Sequence, residues 1–370
     1  MSIKLSPLPA KKMLSVYDVE KTYLENLQSG PFFSGYVPAR DCPKQSEWKE
    51  FLGHPIISPI GIPAGPLLNA KWIAFAAKLG FDVLTYKTIR SYSHPSHPLP
   101  NVVFVETDGE LTSERKGKAV KKRNAPPSAF SDLAITNSFG NPSRSPAYLQ
   151  EDIEQAREVL NEGQVLIVSV FGTGSGEKPL IDDFVRTALL AKEGGAQIIE
   201  ANFSCPNLGT DKNLFEQADL SEKIASAIAK AISPTPLIIK IGIPKNPEEL
   251  PTIVQGLAKA GVHAIAGINT IPMKVVDEKG NPALGKERVT SGICGSPIRS
   301  AALGFVQSVR AIIQKEKLDL QLLGCGGITE AEHFNQFLND ADIAMSATGM
   351  MWDPYLAMRW HQGDSDETKI

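Results

Sequence analysis

Cys205 stands in the run Glu200-Ala201-Asn202-Phe203-Ser204-Cys205-Pro206-Asn207, which sets a thiol between two carboxamides and stiffens the chain after it with a proline. Apolar, β-favouring positions lead into the run, so a buried strand is expected to end in this polar loop. A carboxamide donates and accepts hydrogen bonds at once, and a thiol can ionise. The set therefore suits a site that grips a planar polar ligand and moves one proton. The plainer alternative is a buried structural cysteine beside a turn.

Other chemistry-bearing residues recur after apolar stretches. Lys87 and Lys240 each end one, and an ammonium there is costly unless it meets an acidic partner across the fold or an electron-rich ligand. Glycine turns at Gly326-Gly327, at Ser291-Gly292-Ile293-Cys294-Gly295 and at Ala347-Thr348-Gly349 precede helical patterns and could hold an anion on backbone N–H groups. Ala64-Gly65, Thr88, Asn269-Thr270 and Asn137-Ser138-Phe139-Gly140-Asn141 complete the set. Together these give a phosphate-anchored cofactor, two lysines, one cysteine and four asparagines, Asn137, Asn202, Asn207 and Asn269. Four carboxamides match the alternating N–H and C=O edges of a pyrimidine or flavin ring, which a sugar or acyl chain lacks.

Such residues can meet only if the elements carrying them converge. From Ile56 onward, short apolar runs alternate with helical patterns, predicting strands over 56–62, 82–87, 165–170, 197–202, 237–241, 263–268, 321–323 and 342–346. Helices are predicted over 71–79, 181–193, 214–231, 247–259, 297–314 and 330–338. Eight such units make an α/β (β/α)8 TIM barrel the leading fold, with a doubly wound open sheet as competitor. In a barrel, side chains from different strands converge at the carboxyl-terminal mouth, where the residues above would lie. The expected organisation is an N-terminal extension over 1–50, a barrel over 51–360 and a polar tail over 361–370. The extension carries one helix, Ser15 to Gln28, packed under the barrel; a membrane-surface or quinone-entry role is the alternative. Two insertions interrupt the rhythm. One spans 91–146, with a hairpin turn at Thr107-Asp108-Gly109 and a basic run from Arg115 to Arg123, read as a solvated loop or a docking patch. The other runs from Pro272 to Gly295. Both fall at the mouth, where long insertions carry function.

Composition excludes several classes. The 370 residues carry 38 basic and 41 acidic side chains, a net charge of −3, so nothing global favours nucleic acid. No apolar run approaches the roughly 18 residues of a membrane span, and no leader opens the chain, so a cytoplasmic protein is expected. Cys42, Cys205, Cys294 and Cys325 show no C-x-x-C spacing, so no metal is expected.

From about Pro55 to Trp360, leaving out much of 91–130, the chain resembles the dihydroorotate dehydrogenase family, FMN enzymes built on a (β/α)8 barrel. The resemblance rests on ANFSCPN at 201–207, NSFGNP at 137–142, INT at 268–270, SGICG at 291–295 and LGCGGI at 323–328. It implies that Cys205 is the base that takes a proton from C5 of the dihydropyrimidine while C6 delivers hydride to flavin N5. Asn137, Asn202, Asn207 and Asn269 would bond the substrate ring, with Lys87 and Thr270 beside them, and backbone groups of Phe139, Gly140 and Asn141 would meet its carboxylate. Lys240 would face the flavin N1–C2=O edge. Ala64, Gly65, Lys87, Thr88, Asn202, Ile268 and Gly292 would line the flavin, and Gly295, Gly326, Gly327, Ala347 and Thr348 would hold its phosphate. The cysteine, and the absence of a lysine after the first strand, look like the soluble, cysteine-type branch. Phe139 and Asn141 depart from the Met and Leu usual there, and Thr270 from a common Ser. The loop after Asn269 also looks like the pyrimidine domain of dihydropyrimidine dehydrogenase. The implied activity is oxidation of dihydroorotate in pyrimidine biosynthesis. The alternatives are another dihydropyrimidine, or a flavin subunit that passes electrons to a partner. A homodimer is expected, and the final electron acceptor is left open.

Overall fold

Runs such as Val165–Val170, buried at every position, offer no face to water, the pattern of a parallel strand covered on both sides. The computed structural model describes residues 8–111, 118–204 and 213–363. Its main sheet consists of β1 (Ile60–Leu67), β2 (Val83–Ile89), β3 (Val165–Val170), β4 (Ile198–Asn202), β5 (Leu237–Lys240), β6 (Ala264–Gly267), β7 (Gln321–Cys325) and β8 (Ile343–Met345). Each pairs in parallel with the next. β8 returns to β1 through Ala344↔Ile60 and Met345↔Gly61, which closes the barrel and excludes the open sheet.

Helices Ala70–Lys78, Pro146–Glu158, Glu177–Glu193, Ala218–Ile232, Leu250–Lys259, Arg299–Glu316, Ala331–Leu338 and Leu356–Gln362 follow the eight strands in turn. Local chemistry starts several of them. Asn69 accepts from the Trp72 N–H, and Ser145 accepts from the Tyr148 N–H with Pro146 at the first helical position.

Two expectations need correction. The first strand starts at Ile60, not Ile56. Residues His54–Ile56 instead pair antiparallel with Lys49–Phe51, and Phe51 and Ile56 enter the inner apolar cluster with Val83, Ile198, Ile238 and Ile343. The N-terminal helix covers only Tyr23–Ser29, because Thr22 and Glu25 form a capping box that fixes its start. The segment before it is held without a helix: Leu14 and Val16 donate backbone bonds to Trp352 and Met351, and Val16 and Tyr17 are buried. The two insertions, distant in sequence, join each other. Strands Val102–Glu106, Val120–Arg123, Ala134–Asn137, Ile271–Val276 and Thr290–Gly295 close into a second, five-stranded barrel, hereafter the cap. The Thr107–Gly109 turn does follow an antiparallel strand, with Phe104↔Arg123 and Glu106↔Lys121 in register. Arg123 and its neighbours from Val120 belong to that strand, whereas residues 115–117 of the basic run lie outside the described residues.

Candidate active site

Side chains alternate along a strand, so the apolar inner positions fix which others point inward. Val83, Ile167, Ile198, Ile238 and Leu323 form the inner cluster, and two residues further along their strands stand Thr85, Ser169, Glu200, Lys240 and Cys325. The interior thus turns from apolar to polar toward the carboxyl ends of the strands. Asn202 continues the inward face of β4 and stands opposite Lys240 in register.

Accessibility outlines a hollow at that end. β1 is buried except at Ala64 and Gly65, and a β-carbon built on Gly65, whose φ is +143°, would meet nothing within 4 Å. Residues 137–141, Ser204, Asn269, Thr270, Gly292, Gly326 and Ala347 are likewise half-buried. Lys87, Thr88, Asn202, Lys240 and Thr348 keep 5–7 % exposure amid strands buried at 0–2 %. Most of them are residues singled out from sequence, and no atom lies within 4 Å of the side of Gly65 where a side chain would stand. Ile268 is buried, and its carbonyl accepts the Cys325 thiol at 3.1 Å. Cys205 and Asn207 lie outside the described residues.

Lys240 has an acidic neighbour, as the plainer reading of a buried lysine requires. Burial works against its charge, but Cys325 and Glu200 more than offset that and hold the ammonium above the ordinary lysine range. Burial, reinforced by Glu200 and opposed by Lys240, pushes the Cys325 thiol up. With that thiol neutral, Glu200 is the counter-charge. Glu200 is 0 % exposed, and neither of its carboxylate oxygens meets a hydrogen-bond donor among the described residues. Lys87 is placed otherwise: its ammonium lies 5.5 Å from the Tyr23 ring centroid and 5.2 Å from that of Phe139. Thr88 and Ser169 share a hydroxyl hydrogen bond of 3.0 Å.

The cap supplies the opposite wall. Its strand Ala134–Asn137 delivers Asn137, whose Nδ2 donates to Cys294 Sγ at 3.6 Å; the thiol also approaches Thr348 and donates to the Ile135 carbonyl. Burial pushes Cys294 up to about 11, offset in part by Thr348 and Asn137, so it acts as a neutral thiol. Gly292 faces Asn137 in register, and a β-carbon there would come within 1.8 Å of Thr270 Oγ1. Its lack of a side chain is thus explained by Thr270 as well as by any ligand. The Phe139 ring packs edge-on against Tyr17 and Tyr23 of the N-terminal extension, with the Lys87 ammonium also beside it. That accounts for an aromatic residue there: the extension makes a slot for it.

At the expected phosphate turns, Gly295, Gly326 and Gly327 have φ of +96°, +129° and +82°. β-Carbons on Gly295 and Gly327 would press on Leu133 O and on Arg299 backbone, so these turns present main chain rather than side chains. Behind them, burial, with Arg299 and Lys11 nearby, depresses His333 to about 3; its Nδ1 accepts from the Thr329 and Glu330 N–H groups. The hollow beside Gly65 and the side-chain-free turns fit a flat heterocycle that carries a phosphate.

Sequence reasoning passed over four residues here. Glu200 sits two positions before Asn202, so strand alternation alone places it inside. Cys294 was visible within SGICG, but its link to Asn137 depends on cap pairing. Arg90 and Arg288, which hold the 138–141 loop, carried no sequence signal.

A family model described as dihydroorotate dehydrogenase matches residues 112–354. The chain is 46% identical over 361 residues to "Dihydroorotate dehydrogenase" of Dictyostelium discoideum, covering 95% of this chain and 98% of that one. It is 28% identical over 179 residues to "Dihydroorotate dehydrogenase B (NAD(+)), catalytic subunit" of Shouchella clausii, spanning 47% of this chain and 56% of that relative. It is 27% identical over 199 residues to "NAD-dependent dihydropyrimidine dehydrogenase subunit PreA" of Escherichia coli, spanning 51% and 46% respectively.

Proposed function

The chain belongs to the dihydroorotate dehydrogenase family, and from that premise we propose that it oxidises dihydroorotate to orotate at the cap-covered mouth of the barrel, with FMN as cofactor. The observation that supports this reading is placement: Lys87, Asn202 and Lys240 stand at the carboxyl-terminal parts of barrel strands, Asn269 follows β6, and the cap strand Ala134–Asn137 ends on Asn137. Bound FMN supplies the acceptor for the hydride that leaves C6 of the substrate. Every other task falls to the chain. Asn137, Asn202, Asn207 and Asn269 orient the ring, and Cys205 takes the C5 proton. Lys240, kept charged by its Cys325 and Glu200 neighbours against burial, offers a cation where negative charge develops on the cofactor. The turns at Gly295, Gly326-Gly327 and Ala347-Thr348 hold the phosphate, and Ala64, Gly65 and Thr88 line the ring.

Cysteine in the base position supports assignment to the soluble, cysteine-type branch, and among the described residues no helix is long and apolar enough to cross a membrane. Likeness to a dihydropyrimidine dehydrogenase subunit makes dihydrouracil the relevant control. The purified protein is expected to be yellow and to bleach anaerobically on addition of dihydroorotate. Bleaching by dihydrouracil but not dihydroorotate would transfer the assignment to another dihydropyrimidine, and bleaching by neither would leave only a flavin-binding role.

A further inference from the structure

The loop that closes the hollow from the cap side, residues 138–141, is gripped from behind by two arginines. Arg90 Nε donates to the Asn141 carbonyl at 2.9 Å and its Nη2 to the Gly140 carbonyl at 3.1 Å. Arg288 Nη1 donates to the carbonyls of Pro100 at 2.9 Å and Ser138 at 3.3 Å. Three of the four loop carbonyls are therefore held by guanidinium groups. The fourth, that of Phe139, accepts from the His97 N–H at 2.9 Å. The N–H groups of Phe139 and Gly140 meet no protein acceptor among the described residues. Gly140 and Asn141 both have positive φ, +78° and +49°, and the second is a conformation that non-glycine residues adopt mainly where the surroundings impose it.

Charge adds a second observation. Among the described residues neither Arg90 nor Arg288 lies within ion-pair distance of a carboxylate. Both are half-buried, and the Arg90 guanidinium also stacks 5.2 Å from the Phe171 ring centroid. Two un-neutralised cations thus stand beside a turn whose carbonyls are all occupied and whose Phe139 and Gly140 N–H groups are left over. Oriented N–H groups backed by positive charge make a seat for an anion.

We propose that Arg90 and Arg288 determine the site's preference for a pyrimidine that bears a carboxylate over one that does not. The proposal rests on the dihydroorotate reading and sharpens it. The two guanidinium groups act as positioning residues through the loop, fixing its polarity and adding charge behind it, while the loop N–H groups touch the ligand. A purely architectural role for the arginines would move affinity for every pyrimidine alike, so the ratio of two affinities is the discriminating quantity.

The test is calorimetric titration of orotate and of uracil into the FMN-loaded parent, Arg90→Gln, Arg288→Gln and Arg90→Lys. Each Gln variant is expected to weaken orotate by about tenfold or more, the scale of losing a charge-assisted contact, while uracil stays within about twofold of the parent. Arg90→Lys keeps the charge but cannot serve both carbonyls, and should fall between. It also decides the matter if Arg90→Gln does not fold: orotate must weaken while uracil holds. Equal weakening of both ligands, or unchanged orotate binding, overturns the inference. A parent that binds uracil as well as orotate overturns the dihydroorotate reading, and the inference with it.

Discussion

Replacing Lys240 by methionine removes the counter-charge of a carboxylate that has nowhere else to turn. Glu200 is 0 % exposed with both oxygens unpartnered among the described residues, so Lys240→Met leaves a buried, uncompensated charge. Breaking a contacting buried pair from one side costs about 3–5 kcal/mol. Lys240 and Glu200 interact through space rather than in direct contact, so that range bounds the cost from above, and this side comes nearer to it because no surface of Glu200 reaches water. Glu200→Met is the converse. It strands the ammonium, but Lys240 keeps 5 % exposure at the mouth and has the Cys325 sulfur beside it, so the cost is smaller. The double variant removes both charges and fills their volume with apolar groups, a change that is often neutral in buried pairs, so its cost should stay below about 2 kcal/mol. The assay is urea unfolding of the flavin-free protein at pH 7, where a bound ligand adds no stabilisation of its own. Lys240→Met should cost more than Glu200→Met, and the double variant less than either. Additive costs would mean that the two groups do not share one charge balance, and the reasoning about the barrel's polar layer would fail.

Three further outcomes follow from the same structure. Cys205→Ser should slow flavin reduction by dihydroorotate at neutral pH by about a hundredfold or more in stopped-flow, since a hydroxyl is a far weaker base than a thiolate; parental rates across pH would remove Cys205 from its role. Cys294→Val deprives Asn137 Nδ2 of its acceptor and should weaken orotate about fivefold, the worth of one modest hydrogen bond, while Cys294→Ser should recover most of the loss; equal effects of the two variants would exclude the Asn137 contact as the cause. His333, depressed to about 3 by burial with Arg299 and Lys11 beside it, is neutral in the fold but protonates below about 6.5 when unfolded. Its contribution is therefore complete above pH 6.5 and is lost as pH falls, by about 3 kcal/mol at pH 4, and His333→Gln should flatten the stability profile over that window in denaturant titrations. An unchanged slope would refute it.

The barrel was legible because each strand is a short apolar run that ends in a polar or glycine turn, and the run at 198–202 passes directly into the carboxamides and thiol. Strand 60–67 was displaced in the reading because Gly61, Pro63, Gly65 and Pro66 look like a loop, while His54–Ile56 looks like its start. Val16, Val19, Tyr23 and Leu27 keep helical spacing, yet Thr22 starts the helix late and the earlier residues satisfy their backbone on the distant Met351 and Trp352. No local pattern reports such a partner. The cap was illegible for the same reason: Thr290–Gly295 pairs with Ala134–Asn137, about 155 residues away, so glycine-rich segments gain their strand character only from each other. Candidate site residues at strand ends could be named individually, because the fold fixes where strand ends go. Arg90 and Arg288 could not, because their partners are main-chain carbonyls, which every sequence has.

The most direct measurement is a crystal structure of the FMN-loaded protein with orotate. Orotate is expected between the flavin and the cap, its ring edges on Asn137, Asn202, Asn207 and Asn269, its carboxylate on the N–H groups of Phe139 to Asn141, and the Cys205 sulfur facing C5. Orotate bound elsewhere, or seated at the mouth with Cys205 turned away from C5, would contradict this.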